Sequence, residues 1–424
     1  MTVTEADEAA RRAVEAVWRI ESGRLVAGLA RVTQDFGLSE ELAQDALVLA
    51  LEQWPETGIP ANPAGWLMTT AKRRAIDRHR REETLQRKLE VLSRDAEIEE
   101  SADGSGAVDD AMDDQIRDDL LRLVFTACHP VLTLESRVAL TLRCVGGLTT
   151  PEIARAFLVP DGTVGQRISR AKRTLETEHV TFELPTPAEM GERLSSVLEV
   201  IYLIFNEGYA ATSGQQWMRP ALCHEALRLG RLVAGLAPAE PEVYGLVALM
   251  EFQASRIPAR VNAAGAPVLL QNQDRRLWDR LLIRRGIAAL QQAESMGRPV
   301  GAYSVQAAIA AYHARALTVG ETDWEHVAEL YEVLGEVWPS PVVQLNRAVA
   351  VGMARGPEAG LELVNALTDA RELQTYPMLP AVHADLLEKL GRTAEARQEF
   401  EKAADLTQND SERAIFLRRA ADCH

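Results

Sequence analysis

Two short stretches of this chain carry side chains suited to nucleic-acid chemistry. In the segment Gly162–Arg173, Thr163, Gln166, Arg167 and Arg170 recur near one helical turn apart, so a helix would present them on one face. Gln and Arg are the side chains that read adenine and guanine edges with paired hydrogen bonds. Lys172 and Arg173 beside them suit phosphate oxygens. The second stretch begins at Asn62-Pro63 and continues through Trp66 into the cations Lys72, Arg73, Arg74, Arg78 and Arg80, with Asp77 among them and Arg87 and Lys88 beyond. An aromatic ring beside cations can stack an unpaired base while the cations hold its backbone. The competing reading is that Trp66 packs inward and the charges form a solvated face.

Other clusters point away from catalysis. Cys128-His129, Cys223-His224 and Cys423-His424 pair two metal-ligating types each, but adjacent helical residues diverge by about 100° and do not converge on one ion. Asp274 and Asp279 with Arg275, Arg276 and Arg280 read as an ion-pair network between helices. No glycine-rich phosphate loop, nucleophile elbow or triad occurs. No metal, no cofactor and no enzymatic activity are expected.

These side chains need elements to hold them. Val14, Val17, Trp18, Leu25 and Leu29 sit at helical spacing, and Ser39 is placed to cap a second helix through Leu42, Ala46 and Leu49 that Pro55 would stop. Breakers crowd Thr57–Pro63, and a third helix follows to about Leu92. Ile153, Ala154 and Phe157 give a short helix its buried face, Leu158-Val159-Pro160 make a turn, and Asp161 or Thr163 can cap the next helix: a helix-turn-helix. Between these parts, Asp95–Asp119 holds eleven acids against one arginine, with Gly and Ser and few apolar residues, which reads as a linker over 91–116 with periodicity resuming at Ile116. Pro185 and Pro187 mark a further boundary. Helical patterns then fill 185–424, where Leu387, Gly391, Ala396, Phe400 and Ala403 match part of a tetratricopeptide repeat.

The formal charge of −16 argues against nucleic acid only until it is mapped. Outside the acidic run, residues 1–182 sum to about +2 and residues 183–424 to about −8, with the positive charge concentrated in Lys72–Lys88 and Arg155–Arg173. Local fields decide DNA contact because screening acts within about 8 Å. No 18-residue apolar run occurs, the first residues lack the order of a signal peptide, and four cysteines do not make a disulfide framework, so a cytoplasmic protein with no membrane partner is expected.

The order and spacing of these stretches resemble the sigma-70 family, and within it the extracytoplasmic-function group. Glu41-Leu-Ala-Gln-Asp-Ala-Leu47 is similar to the family's core-polymerase-binding helix, with Leu47 where an aromatic is usual. Asn62-Pro63 through Arg78 resembles the segment that holds the −10 element, and Gly162–Ala171 the helix that reads the −35 element, with Gly165-Gln166 in place of a Lys-Ser type pair. The resemblance implies an all-α protein: residues 10–90 for polymerase and the melted −10 strand, an acidic linker at 91–116, and residues 117–182 for the −35 duplex. It assigns polymerase contact to Glu41, Gln44, Asp45, Leu51 and Trp54. Residues 185–424 resemble the helical extension of one subgroup, which implies a built-in regulator with a possible protein partner. The residues alone also admit a helix-turn-helix regulator that works without polymerase, or an interaction scaffold.

Overall fold

The structure is a computed structural model and describes residues 3–33, 35–90, 109–157, 159–210, 218–262, 267–299 and 301–423. Helices account for 77% of it, and the described residues contain no strand. By internal contact the chain divides into residues 1–200 and 201–424.

The first unit is built on α1 (Val3–Thr33), a helix of 31 residues with Val14, Trp18, Leu25 and Leu29 buried, which packs on α2 (Phe36–Thr57) and α3 (Pro63–Glu90). The start of α2 differs from expectation. Asp35, not Ser39, caps it by accepting the Leu38 amide at 2.9 Å, and Ser39 lies inside the helix, its hydroxyl donating to the Asp35 carbonyl. Pro55 does not stop α2 either. Within the last turn a missing amide costs one hydrogen bond, and the helix runs to Thr57 before Gly58, at φ 84°, reverses the chain.

α4 (Asp109–Ala127) begins inside the acidic run, ahead of Ile116. Residues 91–108 and the side chains of Arg87 and Lys88 lie outside the described residues. α4 packs on α1, and α5 (Leu134–Cys144) supports the pair α6 (Thr150–Phe157) and α7 (Asp161–Thr177). α8 (Met190–Tyr209) contains the division between the units, and its first half is tied to the first unit. Arg193 donates to the Phe125 carbonyl at 2.8 Å, Ser196 to the Cys128 carbonyl at 2.6 Å, and Arg137 to the Glu199 carboxylate at 3.1 Å.

The second unit stacks each helix on its chain neighbour. In order these are α9 (Pro220–Leu236), α10 (Pro241–Ser255), α11 (Arg280–Ser295), α12 (Ala302–Arg315), α13 (Trp324–Val337), α14 (Pro341–Arg355), α15 (Pro357–Asn365), α16 (Met378–Lys389), α17 (Thr393–Leu406) and α18 (Asp410–Asp422). Proline opens α9, α10, α14 and α15, where its missing amide is harmless. Three apolar clusters follow one another. Phe252, Trp278 and Ile283 centre the first, Val327, Leu334 and Val351 the second, and Leu387, Phe400 and Phe416 the third. The acid–base cluster at Asp274–Arg280 is local rather than interhelical. Asp279 caps α11, Asp274 caps a short turn and pairs with Arg276, and Arg275 is buried.

Candidate nucleic-acid interface

α6 is opened by a reciprocal cap: Glu152 accepts the Thr149 amide at 2.8 Å, and Thr149 Oγ1 accepts the Glu152 amide. Ile153 and Ala154 are buried, Phe157 half-buried, and the small Ala154 lets α7 cross closely. α7 starts without the expected side-chain cap: Pro160 holds the cap position, and Asp161 stands in the first turn. Val164, Ile168, Ala171 and Leu175 form its buried face. At about 100° per residue, Thr163, Gln166, Arg167 and Arg170 share an arc turned away from that face. Gln166, Arg170 and Arg173 are exposed, Thr163 and Arg167 half-buried.

Lys172 leaves this group. It lies on the flank toward α2 and donates to Glu40, which is 4% exposed and also accepts Arg143 Nε at 3.1 Å and the Gln44 side-chain amide. Arg143 lies 5.9 Å from the Trp18 ring centroid and donates to the Leu148 carbonyl. One carboxylate thus joins α2, α5 and α7. Sequence reading missed Glu40 and Arg143. The partners are 103 and 132 residues from Glu40, and no local pattern joins them.

The second candidate stretch lies on α3. Asn62 is exposed, and its Oδ1 accepts the Gly65 amide at 2.9 Å, which makes it the cap of α3. Trp66 is half-buried, edge-on to Trp54 with ring centroids 5.5 Å apart, so one part of the indole packs and another meets solvent. Lys72 lines a cavity of about 410 Å³ with Glu21, Arg24, Arg31 and Asp119. Arg73, Asp77, Arg78 and Arg80 are exposed, while Arg74 is half-buried.

Two of these cations meet the carboxylates assigned to polymerase contact: Arg74 pairs with Asp45 at 2.6 Å and Arg78 with Glu41 at 3.4 Å. Glu41, Asp45 and Leu51 are exposed and Gln44 half-buried. Trp54, expected on that surface, is 2% exposed and belongs to the core, because it seals α2 against Trp66 on α3.

Among the described residues, which leave out His424, no three His, Cys, Asp or Glu side chains gather in a group that could hold a metal ion. The Cys128 thiol, pushed up to about 11 by burial, bonds Thr141, while His129 is pushed down to about 4 by burial and by Arg193. No helix among the described residues is long and apolar enough to cross a membrane.

Comparison with known proteins follows the same lines. A family described as Sigma-70 region 2 matches residues 20–84, Sigma-70 region 4 matches residues 122–175, and a family of unknown function, DUF6596, matches residues 193–294. The chain is similar to the uncharacterized protein R00370 of Rhizobium meliloti (strain 1021), 44% identical over 93% of this chain and 92% of the relative. It is similar to ECF RNA polymerase sigma factor SigK of Mycobacterium bovis, 31% identical over 34% of this chain and 74% of that protein. It is also similar to ECF RNA polymerase sigma factor SigL of Mycobacterium tuberculosis, 28% identical over 34% and 76% respectively.

Proposed function

Because the chain belongs to the sigma-70 family of RNA polymerase sigma factors, we propose that it directs polymerase core to promoters with −10 and −35 elements, helps melt them, and is regulated by its own C-terminal helices. Residues 10–90 dock on polymerase and hold the unpaired −10 strand, residues 117–182 read the −35 duplex, and the acidic linker 91–116 threads a positively charged polymerase channel. Residues 185–424 act as regulator through protein contacts. The work is done in the cytoplasm, with polymerase and DNA as partners. Melting needs no covalent step, since bases held off the stack keep the strands apart.

The observation that carries this reading is the face of α7. Four side chains capable of base or backbone contact stand together, backed by a buried apolar face that fixes their direction. Purified chain added to core polymerase on a promoter library is the test. Core-dependent transcription with a shared −10/−35 pattern is expected. Sequence-specific duplex binding by the chain alone, with no transcription when core is added, would overturn it in favour of a free-standing regulator.

A further inference from the structure

The second unit buries three guanidinium groups around two aromatic rings. Arg260 lies 3.6 Å from the Tyr209 ring centroid, Arg256 is 5.9 Å from that ring and 5.5 Å from Trp278, and Arg275 is 5.2 Å from Trp278. The hydrogen-bond partners of Arg256 and Arg275 among the described residues are neutral. Arg275 donates to the His313 and Ala316 carbonyls and to Thr322 Oγ1, Arg256 to Gln253 Oε1, and Arg260 to the Tyr209 carbonyl. Neither Arg256 nor Arg275 makes an ion pair among the described residues, and Glu321 acts on Arg275 only from beyond that range. Residues 211–217 and 263–266, outside the described set, contain no Asp or Glu.

The same place concentrates unpartnered polar atoms. Arg256 Nε, Arg275 Nε and Trp278 Nε1 are buried donors with no acceptor among the described residues, and Tyr209 OH, His313 Nδ1 and Gln273 Oε1 also lack a partner. Arg275, Trp278, Gln273 and His313 are each more than nine-tenths buried. Burial and the two arginines push His313 down to about 4, so it adds no positive charge at neutral pH. Buried charge without a counter-charge is among the most expensive arrangements a fold can keep. Several N–H donors and two guanidinium groups without an ion pair match an oxyanion with several acceptor atoms.

Arg275 also lines a cavity of about 290 Å³, together with Leu269, Trp324, Val349, Met378 and Phe400 and with the ion-paired Asp385, Lys389 and Arg419. That is about twice the roughly 150 Å³ of an engineered apolar cavity that admits benzene. We propose that this centre binds a phosphate group, either free or carried by a small organic molecule whose apolar body occupies the adjoining cavity. This binding stands whether or not the promoter reading holds.

The test titrates the full chain with inorganic phosphate and with phenyl phosphate, at ionic strength held constant with chloride, following tryptophan fluorescence and calorimetric heat. Saturable one-site binding in or below the millimolar range is expected. Phenyl phosphate binding about tenfold tighter identifies an organic phosphate, and equal affinity a free one. Arg256→Gln should weaken both probes by about tenfold or more, and Arg256→Lys, which keeps the charge but loses the fork, should weaken them less. Val349→Trp, which fills the cavity, should remove the advantage of phenyl phosphate and leave inorganic phosphate unchanged. Absence of saturable binding by both probes would overturn the proposal. So would unchanged binding in both Arg256 variants.

Discussion

Arg167 and Lys172 sit little more than a turn apart on α7, yet only Lys172 is held by a carboxylate of another helix. On the promoter reading, Arg167→Ala costs roughly 1–3 kcal/mol and relaxes base preference at one −35 position, which a binding selection measures. Unchanged preference would remove the assignment of α7. Lys172 is spent on Glu40. Replacing Glu40 by Ala leaves Lys172 and Arg143 facing each other without their shared carboxylate, and should cost roughly 3 kcal/mol in urea unfolding. A loss under about 0.5 kcal/mol would mean the cluster is incidental. The cationic character of Lys172 was legible in sequence. Its partner was not, since an acid on another helix leaves no periodic trace. Trp66 and Trp54 teach a similar lesson: composition located two aromatics, and only packing decided that Trp54 is core and Trp66 divided between core and solvent.

Helices as such were readable where apolar residues recur near every 3.6, as Val164, Ile168, Ala171 and Leu175 do in α7, whereas α10 is buried nearly all round and has no such stripe. Their ends were less so. Ser39 looked like a cap and Pro55 like a stop, but the α2 start is set by Asp35, and a proline in the last turn forfeits too little to end it. Close helix contacts need small residues at particular points. A Cβ on Gly360 would lie 2.8 Å from the Ala348 carbonyl oxygen and 2.9 Å from Gly352 Cα, both backbone atoms of α14. Gly360→Ala should therefore destabilise the chain by about 2 kcal/mol despite alanine's better helix propensity. Gly162→Ala on α7 meets open space and should be neutral or stabilising by up to about 1 kcal/mol. Chemical denaturation of both variants checks the contrast, and equal effects would contradict the α14–α15 geometry.

At the scale of the chain, the all-helical class and the uneven charge were legible, whereas the ties of α8 to the first unit were not. Pro185 and Pro187 pointed to a boundary, but Arg193, Ser196 and Glu199 beyond them bond to α4, to the turn after it, and to α5. A piece ending at Glu183 loses these bonds, and should melt at a lower temperature than one ending at Val200. Equal melting would show them to be dispensable. Only the longer piece is a fair partner for the full chain in a transcription assay of the regulatory reading. Higher activity of the longer piece than of the full chain would indicate inhibition by the remaining helices, and lower activity a required contact. Acid should also weaken the fold. With His313 held near 4 in the folded chain and near 6.5 when unfolded, only the unfolded chain takes up its proton between these values. Its contribution is intact above pH 6.5 and falls by up to about 3 kcal/mol as pH drops to 4. His313→Gln should flatten that slope, and an unchanged slope would assign the effect elsewhere.

The carboxylate shared by α2, α5 and α7 has an ionic-strength consequence. Attraction to DNA decays steeply with salt, in proportion to the phosphates neutralised. A contact whose carboxylate is 4% exposed is screened far less. As salt rises, the chain releases DNA well before α7 parts from α2. Dissolved ions are therefore a poor key for separating those two helices, and a rival set of charges on a macromolecular surface a better one.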